Sequence, residues 1–262
     1  MTGPASAELD LNADLGEGFG AWSLTDDEAL LGVVSSANVA CGAHAGDPPT
    51  MRAVCGHAAR LGVAVGAHVG YRDLAGFGRR YVDVEPGELR DDVVAQVATL
   101  QAFARLAGTA VSHVKPLGAL YNALVDHEEQ AAAVAAGVAE VAPGVAVLGL
   151  PGSAWLAAAG RAGLEPVVEA YADRGYTAAG TLVPRGSAGA LVTEPAAVVA
   201  RVVRLAVDGT VEAVDHTSVR VRARSVCVHG DTPGAVAIAT AVGAGLTAAG
   251  VRIVPFAGPR PG

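Results

Sequence analysis

The sequence predicts an α/β fold in which parallel strands are joined by helical crossovers, and three observations carry that expectation. Seven short β-type runs recur along the chain with helical patterns between them. The 262 residues are 52% hydrophobic, enough to bury a large core as one barrel or as two domains. Almost every run ends, on its C-terminal side, in polar, ionisable or glycine-rich residues.

The first run is ELDLNADLG (8–16), where Asp10, Asn12 and Asp14, spaced by two on an extended segment, point the same way. VVSSANVACGAH (33–44) and VAVGAHVGYRD (63–73) follow, with a helix over 49–61 between them. The clearest helix, 86–107, places Leu89, Val93, Val97 and Leu100 on one face and opens on Pro86, whose missing amide costs nothing in a first turn. AVSHVKPLG (110–118), VAVLGLPGS (145–153), EPVVEAYADRGY (165–176) and SVCVHGDTPG (225–234) complete the strands, with helices expected over 127–141, 153–162, 194–207 and 233–249. The stretch 209–223 breaks the rhythm, and its alternation reads as a small hairpin or an edge strand feeding the last strand. No Pro/Ser/Gly-rich linker and no internal repeat divides the chain, so one domain spanning 1–262 is the economical reading.

Composition narrows the function classes. With 18 Lys and Arg against 26 Asp and Glu, the net charge is −8, and no global positive field gathers nucleic acid. The N-terminus lacks a basic start with an apolar core, and no run has the roughly 18 apolar residues of a membrane span, so a cytoplasmic protein with a small-molecule site is expected. Cys41, Cys55 and Cys227 are odd in number and widely spaced, which predicts reduced thiols rather than a disulfide framework.

Parallel α/β architectures bring the C-terminal ends of all strands to one face, and barrels hold their active sites there. His113 and Lys115 therefore belong to a shared polar cup with Asp10, Asn12, Asp14 and Glu17 from the first strand. Asn38, His44 and Asp47 come from the second, His68 and Tyr71 from the third, Glu169, Asp173 and Arg174 from the sixth, and His229 and Asp231 from the seventh. A buried polar group without a partner costs about 2–7 kcal/mol, so such a set implies mutual pairing or a ligand. In SANVACGAHAGDP, Gly42 lets the backbone approach a ligand, His44 and Asp47 form a candidate imidazole–carboxylate pair, and Pro48-Pro49 opens a helix whose N-terminus favours anions. Arg79 and Arg80, in a glycine-rich loop, are candidates to clamp a carboxylate or phosphate. His229 and Asp231 in HGDTPG make a second candidate pair. A divalent metal held by His44, His68, His113 and His229 with Asp10 or Asp14 stays open, although no two histidines have the helical i, i+4 spacing of HExxH.

Taken in order, DLNADLGEGFG, SANVACGAHAGDP, GAHVGYRDLAGFGRR, HVKPLGALYN, EAYADRGY, LVPR and VCVHGDTPGAV resemble the family of 5-oxoprolinase A subunits, also called LamB/YcsF, from about Leu9 to Pro255. The resemblance implies a single-domain seven-stranded β/α barrel similar to carbohydrate deacetylases. It implies ATP-dependent opening of 5-oxo-L-proline to L-glutamate, with ATP as co-substrate and subunits B and C as partners. A lactam is an unreactive amide, so phosphorylating its carbonyl oxygen before water attacks is a sensible use of ATP; Lys115, Arg79 and Arg80 then neutralise phosphate, and a His–Asp pair such as His44–Asp47 or His229–Asp231 activates water. Tyr121 and Asn122 of the fourth motif and Arg185 of LVPR join the candidates for substrate or phosphate binding.

The chain departs from that pattern at Leu117, where the family motif KPHGALYN has histidine, at Val69 and Arg72 in place of prolines, and at Ala13 in place of a common cysteine. Leu117 removes a proton carrier or ligand beside Lys115. Two other readings stand beside the first: a metal-dependent amidohydrolase or deacetylase on the same barrel, and a partner-binding subunit with impaired catalysis.

Overall fold

The computed structural model describes residues 7–184, 186–228, 230 and 234–258. The seven expected strands form: β1 (Glu8–Leu15), β2 (Ser36–Ala40), β3 (Ala64–Val69), β4 (Val111–Pro116), β5 (Ala146–Gly149), β6 (Glu165–Tyr171) and, after the ribbon of β7 (Thr210–Glu212) and β8 (Ser218–Arg220), β9 (Ser225–Val228). All seven barrel strands run parallel in chain order, and β9 pairs with both β6 and β1, closing the barrel. A short β10 (Arg252–Ile253) pairs with Glu8 and Leu9 beneath that seam. The stretch 209–223 is thus an antiparallel hairpin of its own and does not feed the last barrel strand.

The helices are α1 (Asp27–Leu31), α2 (Pro48–Leu61), α3 (Pro86–Leu106), α4 (Gly118–Ala123), α5 (Glu128–Val141), α6 (Ala154–Arg161), α7 (Pro195–Asp208) and α8 (Ala235–Ala248). Their N-termini follow local chemistry. Asp47, Glu85, Ser153 and Glu194 cap α2, α3, α6 and α7 by accepting from backbone amides, and proline occupies the first turn of α2, α3 and α7. The periodic face of α3 is buried as expected, at Leu89, Val93, Val97, Leu100 and Ala104. Burial of each such leucine or valine stabilises the fold by about 1.5–3 kcal/mol.

The two-residue period of β1 sorts its side chains. Leu9, Leu11, Ala13 and Leu15 join the apolar shell between barrel and helices, whereas Asp10, Asn12 and Asp14 turn inward. The interior is consequently polar. Its apolar portions are two small clusters, one of Tyr121, Leu150, Tyr171 and Cys227 and one of Ala146, Leu148 and Val167 packed against Phe256 and Ala257, which follow β10. Gly66 of β3 is required by this interior: a Cβ there would lie 2.0 Å from Nε2 of His113. Among the described residues no helix is long and apolar enough to cross a membrane.

Candidate active site

The centre of the barrel is a single hydrogen-bonded network. Lys115, on β4, is 1% exposed, and its Nζ lies 2.9 Å from Oε1 of Glu169 on β6, 3.0 Å from Oδ1 of Asp14 on β1 and 3.2 Å from Sγ of Cys227 on β9. Burial works to lower the pKa of this lysine, but Asp14 and Glu169 outweigh it and hold it well above the ordinary range, so the group is an ammonium. The Tyr171 ring lies 5.3 Å from Nζ and adds a cation–π contact. Tyr121 donates to Oε2 of Glu169 at 3.1 Å. Burial raises the pKa of both phenols and of the Cys227 thiol well above their usual values, so all three keep their protons.

Below this layer, Asn12 donates to Glu169 at 3.0 Å and to Ser225 at 2.6 Å, and accepts from Asn38 at 2.7 Å. Asn38 also donates to Asp14 at 2.9 Å, which leaves its carbonyl oxygen to accept from Nε2 of His113, 2.9 Å away. Nδ1 of His113 meets the Ser112 hydroxyl at 2.9 Å, so both ring nitrogens are engaged. Burial, reinforced by Lys115, pushes the His113 pKa down to about 3, and the ring is neutral. Deepest of all, Asp10 accepts from the hydroxyls of Ser35, Ser36 and Ser225, and burial raises its pKa to about 6.

Above the network opens a cavity of about 60 Å³, room for a few water-sized groups. Asp14, Glu17, His68 and Lys115 line it together with Tyr121, Tyr171, Asn122, Leu117, Phe77, Arg79, Arg174 and Leu182. His68 is oriented by its own strand neighbour: Nδ1 lies 3.1 Å from the carbonyl oxygen of Lys115, which only accepts, so Nδ1 carries the hydrogen. Its Nε2 has no hydrogen-bond partner and sits 3.4 Å from Oδ2 of Asp14. His44, edge-on to His68 at 5.6 Å, is fully buried with neither nitrogen hydrogen-bonded; its Nε2 lies 3.7 Å from Oε1 of Glu17. Burial, with help from His68, lowers the His44 pKa well below the usual histidine value, so this ring is neutral.

Several residues expected in the cup lie elsewhere. Asp47 does not pair with His44; its carboxylate accepts from the amides of Thr50 and Gly20 as the cap of α2, occupying the helix N-terminus that an external anion would use. Gly42 lies on the outer side of the same loop, in a cleft shared with α2 and α3. Tyr71 points out of the barrel and donates to Gln130 of α5. Arg80 is committed to Asp73 within its own loop, which holds that carboxyl below the usual range. Asp10 and His113 lie beneath the cavity rather than in it, as positioning groups.

Arg174 reaches the cavity wall while donating to the carbonyls of Ala190 and Val183, and the carbonyl of its neighbour Asp173 accepts from Val192, so this pair ties down Val183, Ala190 and Val192. Arg79 stacks on Phe77 at 5.2 Å at the mouth, where Asn122 is also found. Arg185, His229 and Asp231 lie outside the described residues. Tyr171, Cys227 and Ser225, which sequence reasoning passed over, share the inward face; the period of two counted from Glu169 and along SVCV is the signal that finds them.

Among the described residues no three His, Cys, Asp or Glu side chains gather into a group able to hold an ion. The position between Asp14 and Glu169, where a cation would neutralise two carboxylates, is taken by the Lys115 ammonium. Leu117, at the start of α4, is buried, and its side chain packs over Gly70 and Gly78 beside His44. At Gly78, with φ of +63°, a Cβ would fall 2.4 Å from Leu117 Cδ2 and 3.0 Å from His44 Cβ.

The whole arrangement has relatives. The 5-oxoprolinase A subunit of Streptomyces avermitilis is 61% identical over 249 residues, 95% of this chain and 100% of that protein. That of Mycobacterium avium is 58% identical over 250 residues, 95% of this chain and 99% of that protein. The crystal structure of the lactam utilization protein from Thermus thermophilus superposes with a TM-score of 0.92 at 41% identity, covering 95% of this chain and 100% of that one. The description of the LamB/YcsF family matches residues 9–260, and with that extent of similarity in sequence and fold the chain belongs to the LamB/YcsF family.

Proposed function

We propose that this chain is the A subunit of an ATP-dependent 5-oxoprolinase, a cytoplasmic hydrolase that opens the lactam ring of 5-oxo-L-proline to L-glutamate with ATP as co-substrate and subunits B and C as partners. The observation that carries the reading is the floor of the cup. A desolvated ammonium, Lys115, sits between Asp14 and Glu169, and His68, whose Nε2 has no hydrogen-bond partner, lines the same small cavity. Fixed charge in a site shielded from water is worth far more than in solution, which suits a reaction that develops charge on a carbonyl and a phosphate. The relatives named as 5-oxoprolinase A subunits support the same substrate.

In this reading Lys115 stabilises charge that develops above the floor, and Asn12, Asn38 and Tyr121 hold the carboxylates that keep it in place. Arg79, in the cavity lining, is a cation that could meet an approaching phosphoryl group. A cavity of about 60 Å³ is far below the roughly 300–1,000 Å³ of sites that engulf larger ligands, so it has no room for a whole nucleotide.

The test is joint release of glutamate and ADP from 5-oxoproline and ATP by this chain with subunits B and C. Glutamate formation that depends on all three subunits and on Lys115 supports the reading; its absence with correctly assembled subunits sinks it. The metal-dependent amidohydrolase reading finds no donor group among the described residues. The reading of a catalytically impaired subunit rests on Leu117 and is separated by the same assay on Leu117→His.

A further inference from the structure

Three of the buried side-chain nitrogens, both of His44 and Nε2 of His68, stand without hydrogen-bond partners in one corner of the cup. Leaving a buried polar atom unsatisfied costs about 1–3 kcal/mol, and in a folded protein such an atom commonly serves an ordered water, an ion, a ligand or a catalytic proton. Among the described histidines, only His68 lines the cavity with one nitrogen fixed and the other without a partner. His113 uses both nitrogens. His44 has no group that fixes its tautomer. In His68 the Lys115 carbonyl holds the hydrogen on Nδ1, so Nε2 presents a lone pair, with Asp14 Oδ2 3.4 Å away to stabilise the ring whenever it takes up a proton.

We propose that His68 Nε2 is the proton carrier for the ring nitrogen of the lactam, and that it couples ATP consumption to ring opening. The proposal rests on the oxoprolinase reading. When the lactam carbonyl oxygen attacks the γ-phosphorus of ATP, the bond to ADP breaks and the ring N–H proton passes to Nε2, leaving a cyclic C=N phosphoimidate. Water then adds to that carbon; His68 returns its proton to nitrogen and the water supplies the second proton. The resulting tetrahedral centre carries two leaving groups. Protonated nitrogen departs as the amine, giving an open-chain acyl phosphate that a second water hydrolyses to glutamate and phosphate. If nitrogen lacks its proton, phosphate departs instead, the lactam is regenerated, and ATP has been hydrolysed with no ring opened. The proton on nitrogen decides between these outcomes, and His68 is the group placed to supply it.

The experiment measures glutamate formed per ADP released by the assembled subunits, for the unmodified chain and for His68→Asn, with thermal unfolding as the control for folding. The unmodified chain should give one glutamate per ADP, and His68→Asn should lower that ratio by about tenfold or more. A ratio that stays at one for one, whatever the rate, overturns the proposal. Should His68→Asn release no ADP, ¹⁵N-histidine spectra of the unmodified chain decide: the His68 Nε2 resonance must shift when 5-oxoproline is added and must not shift with N-methyl-5-oxoproline, and any other pattern overturns the proposal. Failure of the unmodified assembly to make glutamate would count against the oxoprolinase reading alone, since the spectra still test proton acceptance at His68.

Discussion

Lys115 and Glu169 meet at 2.9 Å in the middle of the barrel, a pair of full charges with neither side chain reaching solvent. Asp14 completes the triad from the opposite strand, so two carboxylates share one ammonium. Removing the cation takes the shared counter-charge away from both buried carboxylates. Lys115→Met is predicted to destabilise the fold by about 3–5 kcal/mol, and Lys115→Met with Glu169→Gln to recover part of that loss while remaining inactive. Chemical denaturation of both variants, set beside glutamate release, checks the two halves separately.

Asp10 should make stability depend on pH. Its pKa is about 6 in the folded protein against 3.8 as the ordinary value, because burial disfavours the carboxylate. The folded state thus holds the proton more tightly, and the stabilising contribution is complete below about pH 4 and lost as the pH rises through about 6. The loss amounts to ~3 kcal/mol. Asp10→Asn removes the titration, so the difference in unfolding free energy between the two proteins should change between pH 4 and 7 and level off on either side. A constant difference would mean that Asp10 stays ionised throughout.

Gly66→Ala places a methyl group inside the His113 ring position. Backbone and imidazole cannot both stay, so a loss of roughly 3 kcal/mol or more is expected. Adding His113→Ala should restore much of it, read as the unfolding midpoint. No rescue would locate the strain in β3 itself.

Leu117→His should fold normally, because the side chain lines the polar cavity, where an imidazole can find partners, and holds no polar partner in place. The proton chemistry above is assigned to other side chains, so turnover is predicted to change by less than about tenfold, on the order of 1.4 kcal/mol in the barrier. A silent parent chain that acquires turnover with histidine would reverse that and make Leu117 the mark of a protein that has given up catalysis.

Much of the barrel was legible because strand runs and helix caps are local signals. Asp10, Asn12 and Asp14 on one face of β1 follow from a period of two, and the face of α3 from spacings of three and four. The short elements α1, α4 and β10 carry too few residues for a periodic pattern, and they exist through the barrel's contacts. At the site, convergence of strand ends was readable, but pairing was not. Asp47 next to Pro48 was already the signature of a helix cap, and that local bond won over the expected contact with His44. Tyr71 fell on the outward phase after β3, and Arg80 found Asp73 seven residues earlier in its own loop. Which imidazole keeps a free nitrogen depends on neighbours more than forty residues away, such as Lys115 for His68, and no local pattern encodes it.

The closure of β1 against β9 has a consequence for biosynthesis. Asp10 and Ser225, joined in the finished barrel, are 215 residues apart in sequence, and at about 5–20 residues per second they leave the ribosome roughly 10–40 s apart. Throughout that interval the first strand has one edge without its pairing partner, and the polar face that will become the site floor has yet to meet β9. Such long-range pairing slows folding and leaves an edge open to the wrong neighbour. Asp10, Asn12 and Asp14 keep one face of that strand polar while it waits, so the residues assigned to chemistry also limit the apolar surface the unpaired strand presents.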